Sequence, residues 1–306
     1  MYSKVVIFSD ENGWHTRVLQ KKFLNRGIKT KCVDLADCFL ENKNNTPKII
    51  LPGLGDHLPS MAIVRGIAGG SLEQITKRLD ILHLLSDQGV RVVNQASAIE
   101  KSVDKGMTSF LLKKNGIPTP NFWVTESFER AKKIIINTIK SGNKLVLKPL
   151  FGSQGQGLKL IENEKNLVFR NSSKVDPKGG VFYLQQFVPL EKNIIPHDYR
   201  VLVVKKTAIA AMKRVGKTWI HNKSLGAKCE KCYLTSNLKN LAEDAARVLE
   251  LDIAGVDLIP DSTVVEGYKV IEVNGVPAWR GLQSVSDFDI TMKMVDLLLE
   301  KQFVST

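Results

Sequence analysis

Val270-Ile271-Glu272-Val273-Asn274 reads as a short strand with polar and apolar side chains in alternation. Residues two apart in a strand point the same way, so Glu272 and Asn274 share one face while Ile271 and Val273 cover the other. Upstream, Ala254-Gly255-Val256-Asp257-Leu258-Ile259 sets a single carboxylate inside an otherwise apolar strand. Such a carboxylate is costly unless it pairs or binds a cation. If the two strands are neighbours, Asp257, Glu272 and Asn274 form an all-oxygen set of the kind that suits Mg²⁺. The alternative is that both acids pair with lysines at a sheet edge. The apolar neighbours favour the metal.

A second constellation lies further upstream, in Lys148-Pro149-Leu150-Phe151-Gly152-Ser153-Gln154-Gly155-Gln156-Gly157. Glycines at alternate positions let a hairpin tip approach a ligand and present backbone N–H groups to phosphate oxygens. Lys148, at the end of the entering strand, adds a point charge. Many hairpins have glycine-rich tips, so the run alone leaves phosphate binding and a plain turn equally open. It is no Walker loop, because no Gly-Lys-Ser/Thr follows and the flanks read as strand and strand.

The elements around these motifs fall into two patterns. In the first hundred residues, strands at 4–9, 30–34, 48–51 and 91–94 alternate with a helix over 14–26. A second helix is opened by the capping box Ser71 and Gln74. That alternation argues for an open, mostly parallel, Rossmann-like sheet. The dinucleotide glycine fingerprint is absent after the first strand, so the layout does not imply NAD. Beyond residue 100, helices are expected over 102–115, 128–139, 238–249 and 290–301. Strands are expected at 144–149 and 158–162 as a hairpin, then at 182–188, 199–204, 208–213, 254–259 and 269–273. The chain is thus α/β followed by α+β.

Composition narrows the function. The chain has 306 residues, a hydrophobic fraction of 43% and a charged fraction of 25%, the profile of a globular protein of about two domains. Four cysteines make no disulfide framework at this length, and Cys229-Glu230-Lys231-Cys232 has no second ligand pair. No apolar run is long enough to span a membrane or to serve as a signal-peptide core, so a cytoplasmic protein is expected. The net charge of +13 is concentrated in residues 101–235, which carry 25 basic and 9 acidic side chains. That surplus suits a polyphosphate or a solvated surface. Aromatics total 7% and do not interleave with the basic residues, so nucleic acid is a minority reading. No Gly-x-Ser-x-Gly elbow supports serine hydrolysis.

Taken together, Ser102-Val103-Asp104-Lys105, Lys148 with its loop, Asp198-Tyr199-Arg200, Ala254-Gly255-Val256-Asp257 and Glu272-Val273-Asn274 resemble the ATP-grasp superfamily, specifically its RimK-like carboxylate–amine ligases. The resemblance implies a Rossmann-like N-terminal domain (1–98) followed by a two-lobed ATP-grasp domain (99–306). The lobes would be 120–187, covering the nucleotide, and 188–306, holding metal and substrate. It also implies ATP as substrate, two Mg²⁺ ions with Mn²⁺ as a substitute, and a homo-oligomer. By the same resemblance Lys105 and Lys148 hold the phosphates and Gly152, Ser153, Gln154, Gly155, Gln156 and Gly157 close over them. Gln185, Gln186, Phe187 and Val188 form the strand that reads adenine, with Asp198 beside the nucleotide. Asp257, Glu272 and Asn274 take the metal, and Arg200 and Arg214 face the transferred phosphoryl group and the acyl substrate. The family usually carries glutamate where this chain has Gln186.

Residues 65–74, Trp219-Ile220-His221-Asn222 and residues 277–283 look most like the branch that includes tetrahydromethanopterin α-L-glutamate ligases. This implies L-glutamate as the amine and a pterin-type coenzyme carboxylate as acceptor, with Asn222 and Arg280 contacting substrate. Other acceptors within the family would be a protein C-terminus, a carrier protein or a deazaflavin coenzyme. Outside it, the rival is a non-catalytic nucleotide or nucleic-acid binding module.

Overall fold

The computed structural model describes residues 5–152, 156–163, 180–191, 194–220 and 226–300. The chain opens with Val5–Phe8 (β1), Trp14–Asn25 (α1), Thr30–Val33 (β2), Phe39–Lys43 (β3), Thr46–Ile50 (β4), Met61–Val64 (β5), Leu72–Asp87 (α2) and Arg91–Val93 (β6). Strands β2-β1-β5-β6 form a parallel sheet in that order. Helix α2 begins as expected: Ser71 Oγ accepts from Gln74 N–H, and Gln74 Oε1 accepts from Ser71 N–H at 2.9 Å. The strand expected at 48–51 is displaced. It belongs to the separate hairpin β3–β4, and the place beside β1 is taken by β5. The hairpin turns on Asn44 and Asn45, both left-handed with φ of 51° and 58°. Asparagine tolerates that region, which two-residue hairpin turns require.

Ala96–Val103 (α3), Lys105–Lys114 (α4), Phe122–Thr125 (β7), Phe128–Lys140 (α5), Leu145–Lys148 (β8), Lys159–Ile161 (β9) and Phe182–Gln186 (β10) follow. The helix expected over 102–115 begins at Lys105 as α4, and an unexpected helix, α3, precedes it and ends just before Asp104. Strands β7-β10-β8-β9 make an antiparallel sheet. Helix α5 covers one face, setting Ala131 and Ile135 on Leu145, Leu147, Phe182 and Leu184. Alternation sends Val146, Lys148, Tyr183 and Gln185 to the other face.

The third sheet is built from His197–Val204 (β11), Thr207–Val215 (β12), Lys228–Cys232 (β13), Ile253–Pro260 (β14) and Tyr268–Asn274 (β15), in the order β13-β12-β11-β14-β15 and antiparallel throughout. Ser236–Val248 (α6) precedes β14. Arg280–Gln283 (α7) and Ile290–Leu299 (α8) close the described chain. One face of the sheet buries Val201, Val203, Val256 and Leu258 under Leu238, Leu241, Ala242 and Ala245 of α6. The opposite face divides. Its inner end, with Leu202, Val204, Met212 and Ile253, shares a core with β1, β5, α1 and α8. Its outer end carries the charged residues described next. Among the described residues no helix is long and apolar enough to cross a membrane.

Candidate active site between two sheets

The free faces of the second and third sheets line an open cleft. Val146, Leu158, Val188, Ile259 and Ile271 make its apolar walls. Lys148, Gln185, Asp198, Arg214, Asp257 and Glu272 supply its polar groups. The two motifs read from the sequence, some 120 residues apart, therefore face one another.

Lys148 enters from β8. Its ammonium donates to Gln185 Oε1 at 2.7 Å, Gln185 Nε2 donates to the Tyr183 hydroxyl at 3.1 Å, and that hydroxyl pairs with Ser109 Oγ on α4 at 2.7 Å. This buried relay fixes where the ammonium sits. Burial pushes Lys148 down to about 8, against the opposing influence of Glu272, and it also raises the Tyr183 hydroxyl. Lys105, at the start of α4, donates to the carbonyl of Gly152 at 2.7 Å, so it holds the entrance of the glycine-rich loop. Burial lowers this lysine too, and Glu272 opposes the shift. Gly157 has φ +73°, and a Cβ there would meet Pro149 Cγ at 2.9 Å; only glycine fits both constraints. Ser153, Gln154 and Gly155 lie outside the described residues, as does Asn222.

On the third sheet, Arg214 takes Asp198 in a two-pronged pair, Nε to Oδ1 at 2.7 Å and Nη2 to Oδ2 at 2.6 Å. Arg200 grips Asp257 in the same way, with Nη2 to Oδ2 at 2.8 Å, and Arg214 Nη2 reaches Asp257 Oδ1 at 3.0 Å. Asp257 thus finds arginines, where the sequence left a choice between metal and lysine. Their positive charge holds its carboxyl below the usual range although burial opposes this, and the two aspartates hold Arg214 charged. Gly255 makes room for the arrangement: a Cβ there would stand 2.8 Å from both Arg200 Nη1 and Pro277 Cβ.

Strand β15 departs from strict alternation. Asp257 opposes Glu272 and Leu258 opposes Val270, so Ile271 is an extra, bulged residue. Val270 and Val273 enter the core, while Ile271 lines the cleft beside Glu272 instead of covering the far face. Glu272 has no hydrogen-bond or ion-pair partner among the described residues. Asn274 donates its amide to Gly255 O at 3.2 Å and keeps its carbonyl oxygen as an acceptor. This all-oxygen chemistry fits a hard dication. Among the described residues no group of three or more His, Cys, Asp or Glu converges, so a metal here would complete its shell with phosphate and water oxygens.

Gln186 has a local explanation. Its Oε1 accepts from Asn121 Nδ2 at 2.9 Å and its Nε2 donates to Asn143 Oδ1 at 3.0 Å. A glutamate could not make the second bond. Phe187 N–H donates to Lys144 O at 2.9 Å, and its ring meets Trp219 edge-on. Arg280 stands apart from this group, its guanidinium 6.0 Å from the Trp14 ring centroid. Cys229 and Cys232 pack into opposite sides of the third sheet, which rules out a shared metal. Tyr183 and Ser109 were missed in the sequence, since nothing local distinguishes a relay residue from a core one.

Residues 102–298 match the RimK-like ATP-grasp domain. The chain is 36% identical over 228 residues to the tetrahydromethanopterin:α-L-glutamate ligase of Methanocaldococcus jannaschii, covering 73% of this chain and 75% of that one. It is 31% identical over 297 residues to the protein of the same name from Methanococcus maripaludis, covering 95% and 96%. Among solved structures, the ATP-grasp ligase PsnB complexed with minimal precursor, Mg and ADP superimposes with a TM-score of 0.72 at 18% identity, over 97% of this chain and 98% of that one. A RimK domain ATP-grasp protein from Sphaerobacter thermophilus gives 0.68 at 21% identity, over 97% and 100%. With the cleft, its lysines and its two facing sheets already in place, these likenesses make the chain a member of the RimK-like ATP-grasp family of carboxylate–amine ligases.

Proposed function

We propose that this enzyme uses ATP and Mg²⁺ to join L-glutamate, through a new amide bond, to a carboxylate of a tetrahydromethanopterin-type coenzyme. The observation that carries the ligase chemistry is that Lys148 and Glu272 line one cleft, with Lys105 near enough to feel the charge of Glu272. The names of the two archaeal relatives support the substrates. In such a ligase an acceptor carboxylate takes the γ-phosphoryl group from ATP, releasing ADP, and the amine then displaces phosphate from the acyl carbon.

The protein's part is positioning and charge. Lys148, fixed by Gln185, and Lys105, at the loop entrance, would meet phosphate oxygens. Gln186, Phe187 and Val188 would present backbone to the base. Glu272 and the carbonyl oxygen of Asn274 would hold Mg²⁺, with Asp257 oriented by its arginines at the edge of that set. Arg200 and Arg214, oriented by their pairs with the buried Asp257 and Asp198, would face the developing negative charge. No nucleophile of the protein is needed. The test is Glu272→Gln, which keeps volume and removes the charge from the metal set. ADP formation should fall at least a hundredfold while circular dichroism stays unchanged. Wild-type turnover at saturating Mg²⁺ would remove Glu272 from the site.

A further inference from the structure

Outside the cleft, the ends of β1 and β5 meet the loop that leaves β15. Arg65, the first residue after β5, lays its guanidinium over the Trp279 ring, with Cζ 4.6 Å from the centroid. Its Nε is fully buried and has no hydrogen-bond partner. No ion pair or other hydrogen bond of its side chain is found among the described residues. Burial alone pushes Arg65 down to about 10, with no acid raising it. Asp10 stands against Gly66 next door but does not pair with it. Stacking on an aromatic ring offsets only part of what a buried donor without a partner loses. Packing on Trp279 would be served as well by methionine.

The neighbours add positive charge. Arg280 reaches over Trp14. His15 sits between the two tryptophans, its ring 4.6 Å from Trp279 and 5.0 Å from Trp14. Its Nε2 accepts the backbone N–H groups of Trp279 at 3.1 Å and Arg280 at 3.3 Å. Burial, Arg65 and Arg280 keep it neutral, down to about 4. The histidine thereby fixes the backbone of the loop that bears Arg280. Guanidiniums held on aromatic supports with donors unfilled suit a planar anion.

We propose that Arg65 and Arg280 form a carboxylate subsite at the junction of the N-terminal sheet and the loop after β15, filled by a carboxylate of a ligase substrate. The proposal rests on the ligase reading and deepens it. The carboxylate belongs either to the incoming amino acid or to the acceptor, where it is one other than the carboxylate that is phosphorylated, and the experiment separates these sources. Arg65→Met keeps the stem that packs on Trp279, and Arg65→Lys keeps the charge but loses the fork. ADP release is titrated with glutamate at saturating acceptor, then with acceptor at saturating glutamate. In Arg65→Met, KM should rise tenfold or more for the substrate whose carboxylate is held, with a smaller rise in Arg65→Lys. The Kd of a non-hydrolysable ATP analogue should stay within twofold. Replacing the held carboxylate by its amide should cost wild type at least tenfold in kcat/KM, and Arg65→Met little. A purely structural role would leave that acid-to-amide ratio at the wild-type value, and this result would overturn the subsite. If wild type refuses glutamate, the substrate reading falls alone. The ratio is then measured with the α-amide of whichever amino acid wild type accepts, and an unchanged value in Arg65→Met overturns the subsite there too.

Discussion

The ammonium of Lys148 is caught between burial, which disfavours its charge, and the phosphate binding proposed for it, which needs that charge. With its proton held only up to about pH 8, the free enzyme should lose affinity for ATP as the solution becomes more alkaline. Below about 8 the group is a cation that attracts phosphate, and above it the group is neutral. The Kd of a non-hydrolysable ATP analogue, at fixed free Mg²⁺, should therefore rise several-fold between pH 7.5 and 9.5. Lys148→Met should bind weakly at both values with a flat profile. Parallel slopes in the two proteins would assign the dependence to another group. The lysine itself was legible, because it precedes a glycine-rich turn. Its relay was not, since Ser109 and Tyr183 are 74 residues apart and meet only when α4 packs on β10. The arginine partners of Asp257 were hidden for the same reason: Arg200 pairs with it across two strands whose register no local pattern reveals.

At the level of elements, the break between α3 and α4 matters most for the site. Asp104 is extended, with φ −82° and ψ 102°, and its Oδ1 accepts from Gly106 N–H at 2.8 Å and Met107 N–H at 3.0 Å. The cap starts α4 at Lys105 and so aims that lysine at the Gly152 carbonyl. Asp104→Ala should lower stability by about 1 kcal/mol, the usual worth of an N-cap. It should also raise the ATP KM more than Asp→Ala at Asp289, which caps the distant α8 with Met292. Equal effects on ATP KM would make the cap a matter of stability only. An aspartate followed by Lys-Gly was a visible helix start, overlooked because apolar spacing continues across it. The β3–β4 hairpin likewise showed its signal, Asn44-Asn45 between apolar ends. Strand β5 gave almost none, being four buried apolar residues without alternation. The bulge at Ile271 was out of reach, because a one-residue shift in pairing is set by the partner strand.

Over the whole molecule, the first sheet has a core of its own on one face, with Val6, Phe8, Ile81, Leu82 and Ile99, and on its other face shares a core across the boundary expected near residue 98. Val5, Ile7, Leu19, Phe23 and Ile63 pack in one cluster with Leu202, Val204, Met212, Ile253, Met294 and Leu298, so the last helix helps bury the first sheet. Asn94, buried at the end of β6, stitches the same seam. Its amide donates to the carbonyls of Ile253 at 2.7 Å and Gly275 at 2.5 Å, and its Oδ1 accepts from Ile253 N–H at 2.8 Å. Gly275 is the residue after Asn274, so the stitch ties the parallel sheet to the strand that carries Glu272. A shared apolar core favours joint unfolding, whereas separate cores would melt independently. Wild type should therefore show one calorimetric transition, with van't Hoff and calorimetric enthalpies close to equal. Asn94→Ala strands three buried polar groups at about 1–3 kcal/mol each before relaxation, and should lower that single transition by about 3 kcal/mol. Two resolved transitions in wild type would show that the N-terminal sheet folds independently. A single transition in wild type that splits in Asn94→Ala would instead place the coupling in these three hydrogen bonds and not in the apolar core they flank.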